Sequence, residues 1–166
     1  MLILLSGPEP QRTILEKILL VQLNEFEGRV LFVRGLPGVH LPIDCEKKII
    51  LNPANKIEIK NHLNAVELNL AIQQAEIVIS RSGYTTVMDL IKLNKKAILI
   101  PTPGQTEQEY LATHLMSNKI FYTENQHEFI LKKAIKNAAE FDFIIVHQEM
   151  NQYLNTVDKF IEKIKD

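Results

Sequence analysis

Ser80-Arg81-Ser82-Gly83, with Thr86 and Asp89 after it, has the residue types of an anion-binding turn. Ile77-Val78-Ile79 before it reads as a buried strand, and Val87, Leu90 and Ile91 after it are spaced as one face of a helix. A small polar turn between strand and helix leaves backbone N–H groups unpaired at the positive end of the helix dipole, where a phosphate binds. Arg81 adds a fixed cation with paired donors. Asp89, about two turns into the helix, stands where it can accept a hydrogen bond from a ribose hydroxyl. The competing reading is a helix cap beside a surface arginine, with Asp89 as a solvated helix residue.

Two further turns carry polar groups next to strands. Ser6-Gly7-Pro8-Glu9-Pro10 follows the apolar Leu2–Leu5, and Ser6 with Gly7 lets a phosphate or sugar approach the backbone closely. The turn lacks the G-x-G-x-x-G spacing of a dinucleotide site and the G-x-x-x-x-G-K-[ST] of a P-loop, which counts against NAD, FAD and P-loop enzymes. Thr102-Pro103-Gly104-Gln105 follows Ala97–Ile100, and Thr106 with Glu109 reads as a capping box. Gln108 then lies in the first helical turn with both a donor and an acceptor for sugar hydroxyls, and Glu109 offers the same kind of contact.

The elements that position these turns alternate along the chain. Strands are expected at Leu2–Leu5, Val30–Val33, Ile49–Leu51, Ile57–Ile59, Ile77–Ile79, Ala97–Ile100 and Ile120–Tyr122, with 39–47 irregular. Ile14, Leu15, Ile18 and Leu19 mark a helix that Pro10 helps to start. Asn64 with Glu67 caps a second helix, and Thr123 with Gln126 is expected to open another. Met150 to Ile164 carries the stripe of a terminal amphipathic helix. Alternating strand and helix predicts a doubly wound, Rossmann-like parallel sheet of about six strands with helices on both faces. Ligands of such sheets sit at the carboxyl ends of the strands, so the three turns should share one edge.

The composition excludes several classes. The chain has 166 residues, enough for one domain over 1–166, with 46% apolar and 23% charged residues. A net charge of −1 gives no footprint for nucleic acid. The single cysteine, Cys45, rules out an internal disulfide and, beside Asp44 and Glu46, has no setting that would activate it. His40, His62, His114, His127 and His147 show no metal-ligand spacing, so neither a metal nor another cofactor is expected. No apolar run approaches the ~20 residues of a membrane span.

Taken together, Ile77-Val78-Ile79-Ser80-Arg81-Ser82-Gly83, Thr86 and Asp89 resemble the signature of the MurG-like glycosyltransferases of family 28. Pro101 with Gln105 to Ala112 resembles that family's following motif. The resemblance covers nearly the whole chain but only the carboxy-terminal, nucleotide-sugar-binding half of a GT-B enzyme. It implies that Arg81, Ser82 and Gly83 face a diphosphate and that Asp89 takes the acidic position that holds the ribose. It implies that Gln108 and Glu109 match paired glutamines near the sugar, and that Ser6 and Gly7 match the glycine-rich first turn. Three departures stand out. Glu109 replaces a glutamine, the first turn is poorer in glycine, and Thr106 replaces an acid.

The resemblance implies an inverting, metal-independent transferase using a UDP-sugar, UDP-GlcNAc among the candidates. The acceptor-binding half and its general base are absent from this sequence. A partner subunit supplies that half in the related eukaryotic transferase that adds the second GlcNAc to a dolichol-linked sugar. The chain is then expected to be such a subunit or an excised or truncated domain, and its start inside a core strand favours excision. The implied setting is cytoplasmic, peripheral at the inner face of the membrane through the missing half, and the isolated chain is expected to bind donor without turning it over efficiently. Two other readings keep the fold: half of a nucleotide-sugar hydrolase or epimerase, and a non-catalytic subunit with a vestigial site.

Overall fold

A computed structural model describes residues 1–38 and 56–145. The expected strand at Ile49–Leu51, the irregular stretch 39–47 and the helix from Met150 to Ile164 lie outside the described residues. In chain order the elements are β1 (Leu2–Leu4), α1 (Gln11–Leu23), β2 (Arg29–Val33), β3 (Lys56–Lys60) and α2 (Ala65–Gln74). They continue with β4 (Ile77–Ser80), α3 (Tyr84–Lys92), β5 (Lys96–Leu99), α4 (Thr106–Ser117), β6 (Tyr122–Thr123) and α5 (Leu131–Glu140). A single 3₁₀ turn, Gln126–Glu128, stands between β6 and α5.

The six strands form one sheet in the order β3-β2-β1-β4-β5-β6, and every neighbouring pair is parallel. A parallel sheet is stable only when both faces are covered, and the residues of the central strands divide accordingly. Ile3, Ile79 and Ile98 point into a core shared with Leu15 and Leu19 of α1 and Ala134 and Ala138 of α5. Their neighbours Leu2, Val78, Ala97 and Leu99 point the other way, onto Ile72 of α2, Val87 and Leu90 of α3 and Leu115 of α4. The period of two along each strand thus places α1 and α5 on one face and α2, α3 and α4 on the other. β3 closes one end of the order with the pattern Lys56-Ile57-Glu58-Ile59-Lys60, its charged residues exposed, a composition that blunts pairing at a sheet edge.

The cap expected at Asn64 is present in full. Its side chain accepts from the N–H groups of Val66 and Glu67, and the Glu67 carboxylate accepts from Asn64 N. Asn64→Ala is expected to lower stability by about 1 kcal/mol, read by urea denaturation, and to leave ligand affinity at the turns after β1, β4 and β5 unchanged, since β3 lies two strands from β1 along the same edge.

Three local expectations are corrected. The residue before α4 is Gln105, with no side-chain cap, and Glu109 reaches back to Gly104 N at 3.0 Å instead of pairing with Thr106. The last strand is displaced to Tyr122–Thr123, because Ile120 N and Phe121 N both close on Leu115 O at the end of α4. Thr123 with Gln126 does not open a long helix. The segment makes only the 3₁₀ turn, since the Gln126 side chain is drawn inward, and the helix starts at Leu131.

Candidate functional site

All strands run the same way, so the turns after β1, β4 and β5 lie on one edge of the sheet, next to one another in the strand order. From β1 the order leads outward to β2 and β3 on one side, and from β4 to β5 and β6 on the other. The reversal between β1 and β4 opens the crevice in which doubly wound folds bind ligands. Of the helices that start at this edge, α1, α3 and α4 adjoin the three turns; Gly83 before α3 and Gln105 before α4 supply no side-chain cap, while at α1 the Glu9 carboxylate accepts from Thr13 N at 3.1 Å. The first N–H groups of each helix have no partner within the helix, and the dipoles turn their positive ends toward the edge.

The first turn is anchored by a buried ionic network. Arg12 Nη1 donates to Glu16 at 2.5 Å and its Nε to Glu9 at 2.6 Å, while Arg34 Nε, at the end of β2, donates to Glu16 at 2.5 Å. Arg34 Nη1 also donates to Asn61 Oδ1 at 3.0 Å. These contacts fix the start of α1 against the ends of β2 and β3. Ser6 is half-buried and Gly7 exposed. Gly7 has φ +102°, and a Cβ there would lie 3.5 Å from Thr102 Oγ1. The first and third turns therefore touch above the end of β4.

The second turn departs from the expected presentation of Arg81. Ser80 and Arg81 are each 1% exposed and Ser82 is fully buried. The Arg81 guanidinium points inward, beneath the edge. Its Nη1 donates to the carbonyls of Ile100 and Pro101, each at 3.2 Å. Its Nη2 donates to Gln11 O at 2.8 Å and to Gln126 Oε1 at 2.6 Å. Arg81 thus ties the β4 turn to the end of β5, the start of α1 and the 3₁₀ turn, and it is not the surface arginine of the competing reading. Burial lowers its pKa to about 10, because the charged form has left water; it stays protonated at neutral pH. No carboxylate among the described residues lies within ion-pair distance of it.

Gly83 reaches the surface of the edge, with the buried Ser82 directly beneath it. Ser82 Oγ donates to Gln108 O at 2.9 Å, joining the second turn to α4. A cleft of about 650 Å³ separates the starts of α3 and α4, lined by Ser82, Gly83, Gln105 and Gln108, with the exposed Tyr84 and Tyr110 on its sides. A Cβ on Gly83 would meet open space, so a ligand has room to approach the backbone there.

Gln108 and Glu109 brace the third turn. Gln108 Oε1 accepts from Thr102 N at 3.1 Å and its Nε2 donates to Gln105 Oε1 at 2.5 Å. Glu109, one residue on, faces a neighbouring cavity of about 630 Å³ lined in part by Thr123, Gln126 and His127. The two residues therefore serve different hollows. Thr86 is half-buried and Asp89 exposed on α3. They lie three apart on one side of that helix, with Val87 and Leu90 turned to the core. Neither lines the 650 Å³ cleft, so the structure gathers Ser82, Gly83, Gln105 and Gln108 and leaves Thr86 and Asp89 beside them.

Sequence reasoning did not reach Gln11, Thr102 or Gln126. Gln126 stands 45 residues from Arg81, and the pattern around it reads as an ordinary helix start. Among the described residues no group of three or more His, Cys, Asp or Glu is placed to hold a metal ion, and no helix is long and apolar enough to cross a membrane.

The model of the glycosyltransferase family 28 C-terminal domain matches residues 46–163. Two UDP-N-acetylglucosamine–N-acetylmuramyl-(pentapeptide) pyrophosphoryl-undecaprenol N-acetylglucosamine transferases are similar in sequence. That of Prochlorococcus marinus strain NATL2A is 28% identical over 154 residues, covering 83% of this chain and 41% of the relative. That of strain MIT 9301 is 40% identical over 67 residues, covering 40% of this chain and 18% of the relative. The chain thus spans less than half the length of these relatives. Among solved structures, MurG of Acinetobacter baumannii superposes with a TM-score of 0.62 at 16% identity, over 83% of this chain and 40% of that one. The spinosyn forosaminyltransferase SpnP does so with a TM-score of 0.56 at 12% identity, over 84% of this chain and 33% of that one. The sheet order and helix placement are those of a GT-B glycosyltransferase half. With a family model spanning most of its length, the chain belongs to glycosyltransferase family 28, as the C-terminal domain of that family.

Proposed function

We propose that residues 1–166 form the donor domain of an inverting, metal-independent glycosyltransferase and bind a UDP-sugar at the shared edge of β1, β4 and β5. The observation that carries this reading is the meeting of the starts of α1, α3 and α4, the last two without a side-chain cap, above the buried cation of Arg81, at the reversal of strand order. This arrangement suits a diphosphate. The names of the sequence relatives support UDP-N-acetylglucosamine as the donor.

In this reading Ser6 offers its hydroxyl, and Ser6, Gly7, Ser82 and Gly83 line the diphosphate with backbone groups, the Ser82 hydroxyl being held by Gln108 O. Arg81 acts from beneath through its charge. Thr86 and Asp89 hold the ribose, and Gln105, Gln108 and Glu109 fix the turn beside the sugar. An acceptor hydroxyl attacks the anomeric carbon, the bond from that carbon to the UDP oxygen breaks, and the electron pair leaves on UDP. The charge developing on the leaving phosphate is met by the helix starts and by Arg81. The base that takes the acceptor's proton belongs to an N-terminal acceptor domain or a partner subunit. Contact with the inner face of the membrane belongs to that half as well.

Calorimetry with UDP tests the reading. The chain should bind UDP without added divalent metal, and Asp89→Ala should weaken UDP about tenfold while leaving inorganic pyrophosphate unaffected. Absence of UDP binding by the folded chain sinks the proposal. Equal losses for UDP and pyrophosphate would remove Asp89 from the ribose.

A further inference from the structure

Among the described residues the charge of Arg81 has no counter-ion, and the side chain that stands where one would fit is Gln126. Gln126 is 2% exposed. Its Oε1 accepts from Arg81 Nη2 at 2.6 Å, and its Nε2 donates to Gln11 Oε1 at 2.7 Å. The other acceptors of the guanidinium are the carbonyls of Gln11, Ile100 and Pro101, and Arg81 Nε has no hydrogen-bond partner among the described residues. Among the described residues every hydrogen-bond acceptor of the cation is therefore a neutral group. The acids closest along the chain to Gln126, Glu124 and Glu128, share with it the lining of the 630 Å³ cavity, but neither pairs with Arg81: Glu124 accepts from Tyr122 Oη at 2.6 Å and Glu128 is exposed.

A buried charge among neutral dipoles is costly to the fold. A glutamate at 126 has nearly the same shape and would form a charge-assisted pair with Arg81. An amide there leaves the full positive charge to act on the crevice through a low-dielectric interior, where fields reach further than in water. Ser82, which follows Arg81 directly, lines the cleft between α3 and α4.

We infer that Gln126 is a positioning residue of the donor site: its neutral amide orients the buried Arg81 and leaves that cation uncompensated, so that the anionic diphosphate of the ligand supplies the missing counter-charge. The inference rests on the donor-site reading above and adds to it the group that sets the site's charge. A purely structural Gln126 would act on stability alone.

The test compares Gln126→Glu and Gln126→Met in the full chain, with UDP and the uncharged nucleoside uridine as probes in calorimetry and with thermal unfolding alongside. Gln126→Glu is expected to weaken UDP about tenfold, to leave uridine unchanged and to hold or raise the unfolding temperature. Gln126→Met keeps the charge of Arg81 but loses both hydrogen bonds. It is expected to unfold at a lower temperature while retaining UDP affinity to within about fivefold. Affinity and stability then move in opposite directions in the two variants. Unchanged UDP affinity in Gln126→Glu, or equal losses for UDP and uridine, overturns the inference while the donor-site reading stands. If the wild-type chain binds no UDP, the donor-site reading falls and takes the inference with it. Should Gln126→Glu fail to fold, Gln126→Asp takes its place as the introduced counter-charge: weakened UDP with unchanged uridine supports the inference, and unchanged UDP affinity overturns it.

Discussion

Arg81→Ala is expected to cost about 3–5 kcal/mol and to abolish UDP binding. The side chain is 1% exposed and holds together segments from β5, α1 and the 3₁₀ turn. Its removal strands three buried carbonyls and the Gln126 amide oxygen without a donor and leaves a cavity where the guanidinium lay. A domain of this size has a total stability of about 5–15 kcal/mol, so the variant sits near the edge of folding. Urea denaturation measures the loss, and a loss below about 1 kcal/mol would contradict the bracing role. Arg81→Met separates packing from charge. It fills most of the volume and needs no solvation, so it should be more stable than the alanine variant. It should bind UDP no better, because the cation is gone in both.

Gly35→Ala is expected to cost about 3 kcal/mol through a backbone collision. Gly35 has φ +69°, and a Cβ there would lie 2.2 Å from Leu5 O and 3.0 Å from Leu5 C. Neither atom is the loose end of a side chain. Leu5 N donates to Val33 O at 2.9 Å, so the end of β1 is locked to β2 and has little freedom to retreat. The shift falls on Ser6 and Gly7, and UDP affinity should fall together with stability. Gly38→Ala is the control: its φ is +76°, but a Cβ there meets nothing within 4 Å. Only the cost of the left-handed backbone remains, about 1 kcal/mol. Equal unfolding midpoints for the two variants would count against the collision.

The architecture was legible because burial in a parallel sheet is written into local pattern. Apolar runs such as Val78-Ile79 and Ala97-Ile98-Leu99 supply both core faces at once, and runs of that kind between helical stripes have few alternatives to a doubly wound sheet. The shared edge of the three turns follows from parallel topology alone. The direction of Arg81 was not legible. Its partners, Gln11, Ile100, Pro101 and Gln126, come from three segments far apart in sequence, and an arginine in a polar turn looks the same whether it faces solvent or the interior. Thr106 and Glu109 misled for a related reason. The capping-box spacing is present, but Gly104, with φ +81°, brings its own N–H within reach of the glutamate. At Thr123–Gln126 the residue types of a helix start were overridden by a tertiary contact, because the Gln126 side chain bonds to Arg81 and leaves no cap for the turn it begins.

The position of β1 in the sheet has a consequence for how the chain acquires its shape. Leu2 pairs with Leu31 on one side and with Val78 on the other. β1 cannot gain its second neighbour until a strand more than seventy residues further along has formed. Closing so long a loop before any contact rewards it slows folding, and parallel strands depend on such distant partners throughout. During synthesis β1 waits with an unpaired edge until β4 has left the ribosome, and that interval is when it is open to mispairing with another chain.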